Sequence, residues 1–321
     1  MQSYPVSDLS LPSGPPVHCE IPEISSGLLA DPPTIASKYF YDLRGSRLFE
    51  SITRLDAYYL TRTERSILNG IHNDLARLVG WGVTLVDLGA GNCAKAESLF
   101  SSLRPGRYVA VDIASEFLSG VLSRLKTSYP EIQIDQISHD FSEGMASFSD
   151  EGTAPRLFFY PGSSIGNFTT QDAESFLVSI REAARRGDWL LMGIDLVKDK
   201  HILEAAYNDP AGITRAFNLN ILEHINRLAS ADFDVRYWDH LAYYDREAMR
   251  IEMHLTSTRD QAVRWLGGER FFRRGDSILT EYSHKYKLAE FEQLLYRSGF
   301  PSTLHWTDEN QWFGLILARA S

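Results

Sequence analysis

The sequence predicts an α/β fold: a doubly wound, mostly parallel sheet with helices on both faces, interrupted late in the chain by an inserted α+β segment. Three observations carry this. From Gly82 onward, short apolar runs alternate with helical stretches, which is the pattern of strands buried under helices on both sides. After Lys198 that rhythm breaks, and the chain ends in two β-prone runs joined by a polar turn. A length of 321 residues suits about two domains.

Seven of the thirteen prolines fall within the first 33 residues, so residues 1–37 read as a surface arm that is not mostly helix. From Lys38 to Val79 the pattern is helical, with Leu48, Ile52 and Leu55 on one face and Ile67, Leu68, Ile71, Leu75 and Leu78 on another. A tyrosine-rich link, Tyr58 to Glu64, joins the two. Strands are predicted at Thr84–Leu88, Tyr108–Asp112, Gln133–Ile137, Leu157–Tyr160 and Trp189–Ile194. Helices are predicted near Ala94–Leu103, Ser115–Ser128 and Gln171–Ala184. The insertion opens with a helix at Asp199–Tyr207, turns at Asn208 to Gly212, and continues in a helix in which Ile213, Phe217, Ile221, Ile225 and Leu228 step by three or four. Strands at Ala248–Thr256 and Ile278–Tyr286 and a helix at Ala289–Ser298 follow. The runs Thr303–Trp306 and Phe313–Ala318 form a closing hairpin.

A net charge of −10, from 32 basic and 42 acidic residues, argues against nucleic acid or an anionic membrane surface as the partner. Two cysteines, Cys19 and Cys93, with no Cys/His spacing of a zinc site, indicate neither a disulfide framework nor a metal. A reducing, cytoplasmic setting fits. The segment Met1 to Glu20 lacks the basic start and apolar core of a signal peptide, and no apolar run is long enough to span a bilayer. The expected partner is a small molecule, and the expected state is a monomer.

The run Leu85-Val86-Asp87-Leu88-Gly89-Ala90-Gly91 is an apolar strand ending in a glycine turn, where the backbone approaches a cofactor closely. Continued to Ala94 it satisfies GxGxxA, with Asp112 where a ribose-binding acid is expected, so a nicotinamide dehydrogenase is one candidate. The set Asp87, Asp112 and Asp140-Phe141, each at the end of a successive strand, points instead to a class I methyltransferase core binding S-adenosylmethionine. The closing hairpin agrees, because that fold places a reversed last strand within its parallel sheet. Gly162-Ser163-Ser164-Ile165-Gly166 matches a GxSxG nucleophile elbow, but Thr169 and Asp172 form a capping box that starts the next helix too late to expose Ser164. In this same loop Asn167 both donates and accepts hydrogen bonds. That suits an amino acid's carboxylate and amine, and equally a loop amide bonding its own backbone. Glu281 and Ser283 lie two apart in a strand and face one side. They suit the two nitrogens of an imidazole, or a solvated strand face.

From Lys38 to its end, the chain resembles the histidine Nα-methyltransferases of ergothioneine biosynthesis. The resemblance is carried by Gly45-Ser46-Arg47-Leu48-Phe49, by Tyr58-Tyr59-Leu60-Thr61-Arg62-Thr63-Glu64, and by Gly162 to Asn167. Asp195-Leu196-Val197-Lys198-Asp199, Ala206-Tyr207-Asn208-Asp209, Arg250-Ile251-Glu252-Met253 and Leu279-Thr280-Glu281 extend it. Leu60 stands where the family usually has proline. The resemblance implies a Rossmann-like S-adenosylmethionine-binding core at 63–198 and 286–321, and a substrate-binding domain at 38–62 and 199–285. It implies cofactor contacts at Gly89, Gly91, Lys95, Asp112, Asp140 and Phe141. Tyr58, Asn167 and Tyr207 are implied as ligands of the substrate's carboxylate and amine, with Tyr41, Phe49 and Gly162 at the same end. Glu281 and Ser283 are implied as an imidazole clamp with Met253 against the ring, and Tyr58 and Asn167 as the groups that orient the attacking amine. The implied activity is three-fold Nα-methylation of L-histidine to hercynine. The alternatives are an N-methyltransferase for another, aromatic amino acid and a non-catalytic S-adenosylmethionine-binding regulator.

Overall fold

The computed structural model describes residues 20–140, 144–145 and 152–321. Five parallel strands are formed by β1 (Thr84–Leu88), β2 (Arg107–Asp112), β3 (Gln133–Ser138), β4 (Arg156–Tyr160) and β5 (Trp189–Asp195). The insertion contributes β6 (Trp238–Asp245), β7 (Arg250–Ser257), β8 (Gln261–Trp265), β9 (Gly268–Phe272) and β10 (Ser277–His284), and the chain closes with β11 (Ser302–Thr307) and β12 (Phe313–Arg319). The large sheet has the order β11-β12-β5-β4-β1-β2-β3. Its last strand, β12, runs antiparallel between β5 and β11, as expected for the methyltransferase core. Every residue of β1 and β4 is buried, because helices cover both faces.

On one face lie α8 (Thr170–Ala183) and α11 (Leu288–Arg297), whose Phe176, Leu177, Phe291 and Leu295 pack on Val86, Val109 and Phe158. On the other lie α3 (Tyr59–Gly70), α4 (His72–Val79), α6 (Phe100–Leu103) and α7 (Ser115–Ser128), with Leu68, Leu75, Leu103 and Leu125 against Leu85, Tyr108 and Phe159. The stretch 94–103, read as one helix, is two short ones, α5 (Ala94–Ser98) and α6. The tyrosine-rich link is largely the first turns of α3, and Leu60 lies in its first turn, a position that suits proline as well. Helix α8 begins as the capping box requires: Thr169 Oγ1 accepts from the Asp172 amide at 3.2 Å.

The insertion builds a second sheet, β10-β7-β6, beside α2 (Leu43–Ile52), α9 (Lys200–Tyr207) and α10 (Ile213–Ala229). Strand β6 and the β8–β9 hairpin were not expected from the sequence. The arm also needs correction. Glu20–Leu29 is a helix, α1, whose Ile24 and Leu28 are buried, and it packs against α10 and β9. Pro22 is tolerated because the first helical turn makes no demand on its missing N–H. Residues 1–19 lie outside the described residues.

Candidate active site

The glycine turn after β1 holds Gly89 and Gly91 in the left-handed region, at φ +73° and +51°. That conformation is costly for a residue with a Cβ. The turn is fixed from β2: the Gly89 amide donates to the Val111 carbonyl at 2.8 Å, and the Gly91 amide donates to Asp112 Oδ2 at 2.8 Å. Asp112 Oδ1 accepts from the Ala114 amide at 2.8 Å, so this carboxylate is held at the lip of the crevice. Nothing lies within 4 Å of where a Gly91 Cβ would stand. Beneath the turn, buried Asp87 accepts from the Tyr108 hydroxyl at 2.8 Å with one oxygen, while the other has no partner. Burial raises its pKa to about 7. An open glycine turn, an anchored acid at its edge and an orphaned buried oxygen below it fit a nucleoside cofactor.

Lys95 on α5 pairs with the buried carboxylate of Glu64 at 2.5 Å, and the same carboxylate accepts the Gly162 amide at 2.7 Å. One side chain of α3 therefore ties the cofactor turn to the loop after β4. Asp140 pairs with Lys38 at 2.7 Å, and Lys38 in turn pairs with Glu23 of α1 at 2.6 Å. Phe141 lies outside the described residues.

Beside this crevice is a narrow cavity whose lining includes Tyr41, Phe49, Tyr58, Tyr207, Met253 and Glu281. Six of the nine predicted substrate residues thus meet in one place, although they come from segments up to 240 residues apart, between Tyr41 and Glu281. The walls are aromatic and packed edge to face: Tyr41 on Phe49 at 5.9 Å and 80°, Phe49 on Tyr58 at 6.3 Å and 81°, Tyr58 on Tyr207 at 6.2 Å and 67°. Met253 on β7 pairs across the antiparallel ladder with Glu281 on β10, which sets the thioether beside the carboxyl. Burial raises the Glu281 pKa to about 7, against the opposing pull of Lys285. Burial also pushes the hydroxyls of Tyr41, Tyr58 and Tyr207 well above their ordinary value, so all three keep their protons at neutral pH.

The other three predicted residues stand around the cavity. With its amide turned so that nitrogen faces acceptors, Asn167 donates to Glu281 Oε1 at 3.2 Å and to the Tyr282 carbonyl at 3.1 Å. The residue expected at the amine end therefore touches the one expected at the ring end. Ser283 shares a 2.7 Å hydrogen bond with the Tyr207 hydroxyl and accepts from Lys285 at 2.6 Å. Gly162 is held by Glu64 beside Lys95. Sequence reasoning missed Thr214 and Phe217 in the wall, and Glu64, Asp195 and Lys285 behind it. Lys285 continues the alternation of Glu281 and Ser283, a signal that was present. Among the described residues, no group of three or more His, Cys, Asp or Glu side chains is arranged to hold a metal, and no helix is long and apolar enough to cross a membrane.

The histidine N-alpha-methyltransferase of Mycolicibacterium smegmatis is 38% identical over 302 residues, covering 92% of this chain and 93% of that protein. Ergothioneine biosynthesis protein 1 of Neurospora crassa is 31% identical over 90% of this chain and 33% of its own length. An L-tryptophan methyltransferase of Psilocybe serbica is 28% identical, with 93% and 92% covered. The family model for SAM-dependent, histidine-specific methyltransferases matches residues 21–320, and the chain belongs to that family.

Proposed function

We propose that the protein methylates the α-amine of L-histidine three times, giving hercynine, as a step of ergothioneine biosynthesis in a reducing cytoplasm. The observation that carries this reading is the Glu281 carboxyl beside Met253 in a cavity walled mainly by aromatic rings. Asn167 donates to Oε1 alone, so a purely apolar ring leaves the other oxygen without a donor at a cost of roughly 1–3 kcal/mol, whereas an imidazole N–H satisfies it. The substrate lobe comprises 38–62 and 199–285, to which α1 and its following loop are added, and the cofactor core comprises 63–198 and 286–321.

S-adenosylmethionine supplies an electrophilic methyl group on a sulfonium. Gly89, Gly91, Lys95, Asp112 and Asp140, with Phe141, are the residues that would hold it. The rest falls to positioning, since displacement at carbon needs an in-line amine and no protein nucleophile. Tyr58 keeps its proton and donates to the substrate carboxylate at the end that Tyr207 also walls, and Asn167 takes the amine. The amine must be neutral to attack. Desolvation disfavours its charged form, and a sulfonium bound beside it would act in the same direction, so the proton leaves to water while Tyr58 and Asn167 aim the lone pair.

Incubating the protein with S-adenosylmethionine and each amino acid in turn, followed by mass spectrometry, tests this reading. Histidine is expected to gain one, two and three methyl groups in succession. A gain on tryptophan or tyrosine alone would replace the substrate, and no gain on any amino acid would point to a regulator.

A further inference from the structure

Lys285 is only 1% exposed and lies one residue past β10, where it continues the alternation of Glu281 and Ser283. Its ammonium nitrogen lies 2.6 Å from Ser283 Oγ, 3.2 Å from the Tyr207 hydroxyl oxygen and 3.0 Å from Asp195 Oδ2. An ammonium has three N–H groups and no lone pair, so these three acceptors use it completely. Ser283 and Tyr207 thus each accept from the same cation. Their oxygens are 2.7 Å apart, so one of their two hydroxyl hydrogens is spent between them. A single hydrogen is left for a ligand.

The cation is itself firmly placed. Asp195 at the end of β5 accepts from Lys285, from Lys198 at 2.5 Å and from the Tyr59 hydroxyl at 2.7 Å, and its amide donates to Ser163 at 2.9 Å. Tyr59 and Lys198 are joined at 2.8 Å, which closes the group. Tyr244 on β6, and Glu281 and His284 on β10, are further titratable neighbours whose electrostatics involve Lys285. Of these residues Tyr207 lines the cavity and Ser283 stands next to it on the Tyr207 hydroxyl, and the proposed reaction gives Lys285 no part.

We propose that Lys285 is a positioning and specificity residue: it fixes the hydrogens of the Ser283–Tyr207 pair so that the pair presents one defined donor to the substrate, and the ring nitrogen is read against that fixed pattern. Without the cation the pair still shares one hydrogen, but two lone pairs fall open and the remaining hydrogen can turn away from the ligand, a pattern that no longer distinguishes a ring bearing nitrogen from one without. The inference rests on histidine being the substrate, and it adds a residue through which the ring is recognised.

The test uses Lys285→Met in the full-length protein, with calorimetric affinities for histidine, for β-(2-thienyl)alanine, whose ring has no nitrogen, and for S-adenosylhomocysteine. Asp195 keeps Lys198 and Tyr59 in this variant, so its charge stays paired. The expected result is a tenfold or greater loss of histidine affinity, little change for the thienyl ligand or for S-adenosylhomocysteine, and a larger change in KM than in kcat. Lys285→Gln, which restores two N–H donors, should recover part of the ring preference. On a Ser283→Ala background, Lys285→Met should cost little more, because the two act as one unit. Retention of the wild-type ring preference in Lys285→Met, or additive losses in the double variant, overturns the proposal. In the unmodified protein, equal affinity for the two ligands also overturns it, whatever the variants do. If the unmodified protein forms no methylated histidine, the functional reading fails instead.

Discussion

Glu281 serves recognition at the expense of the ligand-free fold. Its pKa rises from 4.5 to about 7 because burial disfavours the charge. The folded protein therefore holds this proton more tightly than the unfolded chain does. Between about pH 4.5 and 7 the folded state binds more protons, so stability from this residue falls as pH rises, and above about 7 the penalty is constant. Glu281→Gln removes that slope. The variant is expected to melt higher than wild type at pH 8 and about equally at pH 4, in scanning calorimetry without ligand. Asp87, raised to about 7 by the same cause, leaves a residual slope of the same sign in both proteins. The variant should also lose histidine affinity by roughly 10- to 100-fold, the equivalent of about 1.5–3 kcal/mol for a charged hydrogen bond, with cofactor affinity unchanged. Equal melting temperatures at pH 8 would contradict the burial argument, and equal weakening of both ligands would contradict the clamp.

Among the elements, the 3-10 turn Ser164–Asn167 and strand β10 bring Asn167 against Glu281, and Gly166 allows the approach. A Cβ at Gly166 would stand 2.9 Å from the His284 carbonyl oxygen and 3.1 Å from its amide nitrogen, both backbone atoms that cannot swing aside. Gly166→Ala is expected to push β10 from the turn and weaken histidine binding by about tenfold, about 1.4 kcal/mol, while leaving the cofactor turn intact. Titration of both ligands checks it, and unchanged histidine affinity would show that the contact is slack. The core strands were legible because each is a continuous apolar run bounded by turn residues. Strand β6 was not, since His240 takes an inward position while Leu241 and Tyr243 take outward ones, and only Trp238, Ala242 and Tyr244 are buried. The β8–β9 hairpin hides for a similar reason, with Arg264, Glu269 and Phe271 exposed around the turn at Leu266-Gly267. In the site, residue types and strand faces were readable. The contact between Asn167 and Glu281 was not, because it depends on how two elements 114 residues apart dock.

Across the whole molecule, the two ligands are expected to share one crevice, and α3 spans both ends of it. Tyr58 immediately precedes the helix at the substrate cavity, Tyr59 binds Asp195, and Glu64 one turn on holds both Lys95 and the Gly162 amide. Glu64 therefore does two separable things. As an anion it orients Lys95 beside the cofactor turn, and as an acceptor it satisfies the buried amide that positions the Gly162–Asn167 loop. Glu64→Gln retains an acceptor for Gly162 and loses the ion pair, so it should weaken cofactor binding and leave histidine binding nearly intact. Glu64→Ala loses both functions and leaves a buried N–H unpaired, which costs roughly 1–3 kcal/mol. It should lower the melting temperature and weaken both ligands. The Gly193 side of the helix is tight as well, since a Cβ there would meet Glu64 Oε1 at 2.2 Å, so the carboxylate has little room to move elsewhere. If the Gln and Ala variants weakened the two ligands in the same ratio, one helix side chain would not be serving the two ends separately, and α3 would be a passive wall between them.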